Sequence, residues 1–162
     1  MTKIPYNGSF TKATRVLETV HLDTVGPLSI TSVGGSTYFL TIVDQYSGFK
    51  VVKFMKNKSE TYQKFVDFIK TAKNQTEVKL KNIISDNGTE FKNANFSNYC
   101  KEFGVFHHFS PAYTPENNGM AKRMNRTILV KARCLLNQSN LPSKYWADAV
   151  KTATDLSNLL PS

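Results

Sequence analysis

Two aspartates have the chemistry and the placement to hold a divalent cation. Asp23 ends an alternating run with Val16, Val20 and Leu22 to one side and Thr19, His21 and Asp23 to the other. That period of two is the pattern of a strand. Asp86 follows a second β-rich run, residues 78–85, whose apolar end is Ile83-Ile84. Carboxylates at neighbouring strand ends can converge at one sheet edge. There they would bind Mg²⁺, which takes one or two carboxylates together with phosphate oxygens and water. Two such ions activate the attacking oxygen and stabilise the leaving oxygen in phosphoryl transfer. An aspartate that ends a strand before a glycine is also ordinary turn chemistry. Position alone leaves both readings open.

The elements that must position these acids follow from periodicity. Gly26-Pro27 closes the first strand, and residues 37–54 read as a hairpin turning through Asp44 to Gly48. Ser59 is placed to cap a helix with Tyr62, Phe65, Val66 and Ile69 on one stripe. Asn95 is placed to cap a second, with Phe96, Tyr99, Cys100 and Phe103 inward and Gly104 as its stop. Residues 105–109 form a short strand, and a proline-rich loop leads to a long helix over residues 117–136. Pro142 opens a last helix that buries Trp146, Val150 and Ala153. Three meandering strands followed by alternating helix and strand predict an α/β fold, a mixed five-stranded sheet flanked by helices.

The 162 residues suit one domain with one core, and 40% are apolar. A net charge of +9, from 21 basic against 12 acidic side chains, points toward a polyanionic partner without identifying it. Cys100 and Cys134 are too few and too far apart for a zinc or disulfide framework, and read as half-buried thiols. No apolar run reaches the ~20 residues of a membrane span. The N-terminus lacks a signal-peptide core, so secretion is not expected.

Three ordered motifs together are specific. They are His21-Leu22-Asp23-Thr24-Val25-Gly26-Pro27, Ser85-Asp86-Asn87-Gly88-Thr89-Glu90-Phe91, and the segment from Thr114-Pro115-Glu116-Asn117-Asn118-Gly119 through Met120-Ala121-Lys122-Arg123 to Asn125-Arg126-Thr127. With Leu141-Pro142, Trp146-Ala147-Asp148 and Asn158-Leu159-Leu160-Pro161, they resemble the integrase catalytic core of copia-type LTR retrotransposons. The resemblance runs from about residue 15 to the end. It implies an RNase H-like fold and Mg²⁺- or Mn²⁺-dependent DNA 3′-end processing and strand transfer. It also implies two aspartates and a glutamate as catalytic and metal-binding residues, matched here by Asp23 and Asp86.

The glutamate position falls at 122, since 35 residues separate it from Asp86 and the local Asn-Gly-x-Ala motif chooses the same place. That residue is Lys122. The exchange takes the three-residue site from a charge of −3 to −1. Repulsion between unit charges at ~4 Å is roughly 4 kcal/mol at an effective dielectric near 20. Metal binding should therefore be weakened and catalysis lost. Glu116 and Glu90 are the nearby acids. The first is expected to point elsewhere and the second to be a partner within the Asp86 motif. Alternatively, the Lys122 ammonium would sit between the two carboxylates and neutralise them.

Lys122, Arg123, Arg126, Lys131 and Arg133 give the long helix a basic run suited to DNA phosphates, and Lys50, Lys53, Lys56 and Lys58 form another. His21 reads as polar packing, His107-His108 as a strand end, and Trp146 as a core anchor. The family carries a zinc module before the core and a DNA-binding region after it. Residues 1–15 read as a leader remnant and 16–162 as the core domain, with Met1 as an internal methionine of a former polyprotein. The resemblance implies DNA as partner, homo-oligomers, no membrane, and a nuclear or virus-like-particle location. A non-catalytic module that binds nucleic acid or protein is the alternative.

Overall fold

Apolar alternation on both sides of the strands requires cover on both faces of the sheet, and the helices supply it. The computed structural model describes residues 12–77, 79–110 and 119–160. Strands β1 (Thr19–Val25), β2 (Tyr38–Asp44) and β3 (Lys50–Met55) form an antiparallel meander. Strands β4 (Asn82–Ser85) and β5 (Phe106–Phe109) add in parallel, giving the order β3-β2-β1-β4-β5. On one face, Val20, Leu22, Leu40 and Ile42 pack beneath α1 (Thr61–Gln75) and α2 (Ala94–Phe103), which contribute Phe65, Ile69, Phe96 and Tyr99. On the other, Phe39 and Val52 meet α3 (Gly119–Ser139) and α4 (Trp146–Leu159) through Ile128, Ala132, Trp146, Val150 and Ala153. The mixed five-stranded sheet flanked by helices is the expected architecture.

Several boundaries differ, each for a physical reason. β1 does not end at Asp23, because Thr24 and Val25 still pair with Leu40 and Phe39 of β2. Its parallel pairing with β4 is what stops early, at His21 opposite Ile84. Val16 lies outside the strand and is exposed. The chain turns at Leu17, whose φ is 62° and whose N–H donates to Asp44 Oδ1 at 2.9 Å. Only four residues of the run at 78–85 form β4.

Ser59 lies inside a 3-10 turn, Lys58–Glu60, rather than capping a helix. The cap of that turn is Asn57, and Glu60 reaches back from the turn's third position, its Oε2 accepting from the N–H groups of Lys56 and Asn57, both at 2.7 Å. Asn93, not Asn95, caps α2, its Oδ1 accepting from Phe96 N–H at 3.1 Å. Gly104 stops that helix as expected, at φ 66° with Val105 N–H bonded to Cys100 O. Phe103 is exposed rather than inward, with the Lys73 amine 4.5 Å from its ring centre. Cys100 is half-buried, its thiol pKa raised by burial, whereas Cys134 is exposed on α3.

At the outer edge of β3, Asn158 of α4 stands in for a neighbouring strand. Its Oδ1 accepts from Lys50 N–H at 2.9 Å and its Nδ2 donates to Lys50 O at 2.8 Å. Phe39, fully buried, contacts Phe54 and Trp146 and so joins the sheet to α4. Phe39→Ala should cost about 3–5 kcal/mol in urea-induced unfolding. A loss under about 1 kcal/mol would mean that this face of the sheet is not held as described.

Candidate metal and nucleic-acid site

Asp23 is paired across the sheet with Thr41, which places both side chains on the face beneath α3. Helix α3 lowers Asn125 onto the pair. Asn125 Nδ2 donates to Asp23 Oδ2 at 2.9 Å, and Thr41 Oγ1 donates to Asn125 Oδ1. All three side chains are buried. One amide therefore links β1, β2 and α3.

Asp86 arrives from β4. Thr19, Val20 and His21 pair in parallel with Asn82, Ile83 and Ile84. Continued by two residues, that register brings Asp86 level with Asp23. The turn after β4 is held on several sides. Asp86 Oδ1 accepts from Gly88 N–H at 2.8 Å, and the Ser85 hydroxyl donates to Asp86 O at 2.9 Å. His107 Nε2 lies 2.8 Å from Ser85 Oγ. With the Ser85 proton committed to Asp86, this nitrogen is the donor. Burial, then the neighbouring His108, lowers the His107 pKa to about 4, so the ring is neutral. Ser110 closes the other side, its N–H and hydroxyl both donating to Ser85 O, at 2.8 and 3.2 Å.

Glu90 is a local partner. Its Oε1 accepts from Thr24 Oγ1 at 2.7 Å and lies 3.7 Å from Lys58 Nζ. A Cβ at position 88 would meet Glu90 Oε2 at 2.4 Å, so glycine there lets this carboxylate fold back over the turn. Glu90 is thus engaged away from the aspartate pair. Glu116 lies outside the described residues.

Burial pushes the Asp23 carboxyl up to about 6. The Lys122 charge pulls it back down, the Asp86 charge raises it, and the Asn125 hydrogen bond lowers it. The structure thus brings Asp23, Asp86 and Lys122 within electrostatic reach. Lys122 lies three residues before Asn125 on the same helix and is exposed. Among the described residues it makes no ion pair within 4.0 Å with either aspartate. Its ammonium therefore acts on Asp23 without docking between the carboxylates.

The basic run of α3 divides by helical phase. At 100° per residue, Lys122, Arg126 and Arg133 share a stripe and Lys131 faces the opposite way. Arg123, Arg126 and Arg133 are exposed, whereas Lys131 is half-buried and bonds Ser157 Oγ at 3.2 Å. Lys50, expected among phosphate-binding lysines, is buried. His21 is buried against Gln45, whose Nε2 lies 3.0 Å from its Nε2. Trp146 packs as a core anchor and donates from Nε1 to Ile30 O at 2.8 Å. Sequence reasoning missed Asn125, Thr41, Ser85 and Ser110, and gave His107 no role beyond a strand end. Helix phase alone could have found Asn125, one turn beyond position 122.

The fold and this pair of strand-borne aspartates define a class, the integrase core. The family model described as integrase core domain matches residues 13–115, and the chain belongs to that family. Kinship is seen with Pol polyproteins of plant retrotransposons. Over 160 residues the chain is 38% identical to the Retrovirus-related Pol polyprotein from transposon TNT 1-94 of Nicotiana tabacum, covering 99% of this chain and 12% of that one. It is 30% identical to the corresponding polyprotein from transposon RE2 of Arabidopsis thaliana, covering 99% and 11%. The chain is thus a retrotransposon integrase core, spanning about an eighth of the polyproteins it matches.

Two solved structures share its RNase H-like fold. One is the HTLV-2 integrase catalytic core domain in complex with magnesium, in a trimeric form, with TM-score 0.59 and 20% identity over 85% of this chain and 82% of that one. The other is the simian T-cell lymphotropic virus intasome in complex with PP2A regulatory subunit B56 gamma. It has TM-score 0.66 and 18% identity, covering 89% of this chain and 49% of that one.

A divalent cation fits what the structure offers, in part. The Asp86 charge raises the proton affinity of Asp23, which an added cation would relieve. The third position offers an ammonium, and no group of three metal-ligating side chains occurs among the described residues.

Because the folded protein binds the Asp23 proton more tightly than the unfolded chain, ionised Asp23 lowers stability above about pH 6. That cost disappears as the pH falls toward 3.8. In metal-free buffer at about pH 8, Asp23→Asn should be more stable than the parent by roughly 2–3 kcal/mol. The difference should vanish by about pH 4, as measured by urea unfolding at several pH values. A difference independent of pH would exclude burial of this charge as the cause.

Proposed function

We propose that this chain is an integrase core that holds DNA beside the Asp23–Asp86 pair and has lost efficient 3′-end processing and strand transfer through Lys122. The observation that carries this reading is the Lys122 charge acting on Asp23 from the position where the family motif has its glutamate. Mg²⁺ or Mn²⁺, held by Asp23 and Asp86, would supply charge stabilisation for phosphoryl transfer. Asn125 fixes Asp23, and the Ser85–His107–Ser110 set fixes the turn of Asp86. Lys122 opposes a second cation by adding positive charge and removing a ligand.

The same ammonium favours a DNA phosphate. With Arg126, Arg133 and the adjacent Arg123 it makes an exposed basic stripe suited to salt-dependent duplex binding. Binding without catalysis is therefore part of the reading. Self-association and a nuclear or virus-like-particle location belong to it as well, the former in line with the trimeric form described for the HTLV-2 core.

The test compares the chain as given with Lys122→Glu. Mn²⁺ binding, followed by electron paramagnetic resonance, should tighten at least about tenfold in the variant. Strand transfer from a donor DNA end, assayed in the integrase context of a related polyprotein, should rise about a hundredfold or more. Appreciable strand transfer by the unaltered sequence would sink the proposal.

A further inference from the structure

We infer that Lys50 and Lys131, which converge on Ser157 beside a hollow wrapped around the β3 edge, bind an anion of the phosphate class. The hollow has a volume of roughly 660 Å³ and lies between the β2–β3 turn, the end of α1 and the last turn of α4. Lys50 lines it while being only 7% exposed. Its Nζ has one polar contact among the described residues, Ser157 O at 3.5 Å. Lys131 lies outside the hollow's wall and reaches Ser157, which lines it, from α3, its Nζ 3.2 Å from Ser157 Oγ. Two ammonium groups thus converge on one serine.

Among the described residues the pair lacks a counter-ion. Among the described residues neither amine has a carboxylate within 4.0 Å. Asp44 is the acid on the wall, and its oxygens are taken by Leu17 N–H, Ser47 N–H and the Ser47 hydroxyl. The end of α4 offers about half a negative charge, which one ammonium already exceeds by about half a charge. A second leaves an excess of about one and a half charges in a half-enclosed place, where an unpaired cation is costly. The Lys50 pKa is lowered, first by burial and then by Lys131. A dianion with tetrahedral oxygens would accept from both amines, and the Ser157 hydroxyl can donate a third bond.

Lys131 lies nine residues from Lys122, on the opposite side of α3 and about 13 Å along it. This site is therefore separate from the DNA stripe and from the aspartates. The phosphate can come from a free polyphosphate or from a nucleic-acid backbone that wraps the sheet edge.

Thermal unfolding of the chain in phosphate-free buffer, with inorganic pyrophosphate or a short duplex DNA as probe, tests the inference and separates the sources. The parent should gain about 5 °C at a hundredfold excess of the favoured probe over its Kd. Lys50→Met and Lys131→Met should each abolish the gain from pyrophosphate or, where a nucleic-acid backbone is the source, lower the gain from duplex DNA to the part supplied by the α3 stripe, while Lys101→Met, an exposed lysine on α2, should keep both gains in full. Without a probe, Lys50→Met should melt above the parent, because it removes a buried charge that has no counter-ion. Three results would each overturn the inference: no gain from pyrophosphate together with an unchanged DNA gain in both variants, a pyrophosphate gain that both Lys50→Met and Lys131→Met retain in full, or a lower melting temperature for Lys50→Met without a probe. The last would mean that Lys50 serves only to cap α4.

Discussion

The site depends on one hydrogen bond, from the Asn125 amide to the buried carboxylate of Asp23. A buried carboxylate needs donors, and here a side chain of α3 supplies one. That amide accepts from Thr41 at the same time, so it reads the β1–β2 register directly. A slip of one residue between those strands would turn either Asp23 or Thr41 to the opposite face. Helix α3 is thereby fixed in rotation as well as position, and the residue one turn earlier is carried to the aspartates. Whatever side chain occupies position 122 inherits that placement.

Lysine at that position would have opposite effects with and without a cation beside the aspartates. The Asp23–Asp86 pair repels itself, and burial adds to the difficulty of keeping Asp23 ionised. A nearby ammonium eases both problems as long as no cation is present. The same charge then disfavours a cation that approaches. Such a charge leaves the fold comfortable, and on the proposed reading it would oppose a cation beside the two aspartates. The core on either face of the sheet is indifferent to it, since Lys122 is exposed and belongs to neither apolar cluster.

The acids were legible in the sequence because strand alternation and chain spacing depend on neighbouring residues alone. The order of elements was legible for the same reason. Asn125 was not, because it sits between Arg123 and Arg126 in a run whose charge draws attention outward. Only the phase of the helix shows that it faces the sheet. Lys50 was misread for a related reason. Residues 50–58 resemble a solvated lysine-rich stretch, but in β3 the positions 50, 52 and 54 alternate toward α3 and α4. The helix caps missed narrowly because the chain is rich in asparagine: Asn93 and Asn95 are both plausible by type, and backbone geometry decides between them. The Ser85–His107 contact joins β4 to β5 across 22 positions, and no local pattern encodes it.

Asn158 bears on how this protein meets other chains. β3 is an outer strand of the sheet, and an outer strand ordinarily exposes backbone groups that another polypeptide can pair with. At Lys50 both groups are already occupied by one amide side chain, which copies the two bonds of a strand neighbour. An extended segment arriving there would have to displace the end of α4 before it could gain register. The start of β3 is therefore guarded against templated aggregation.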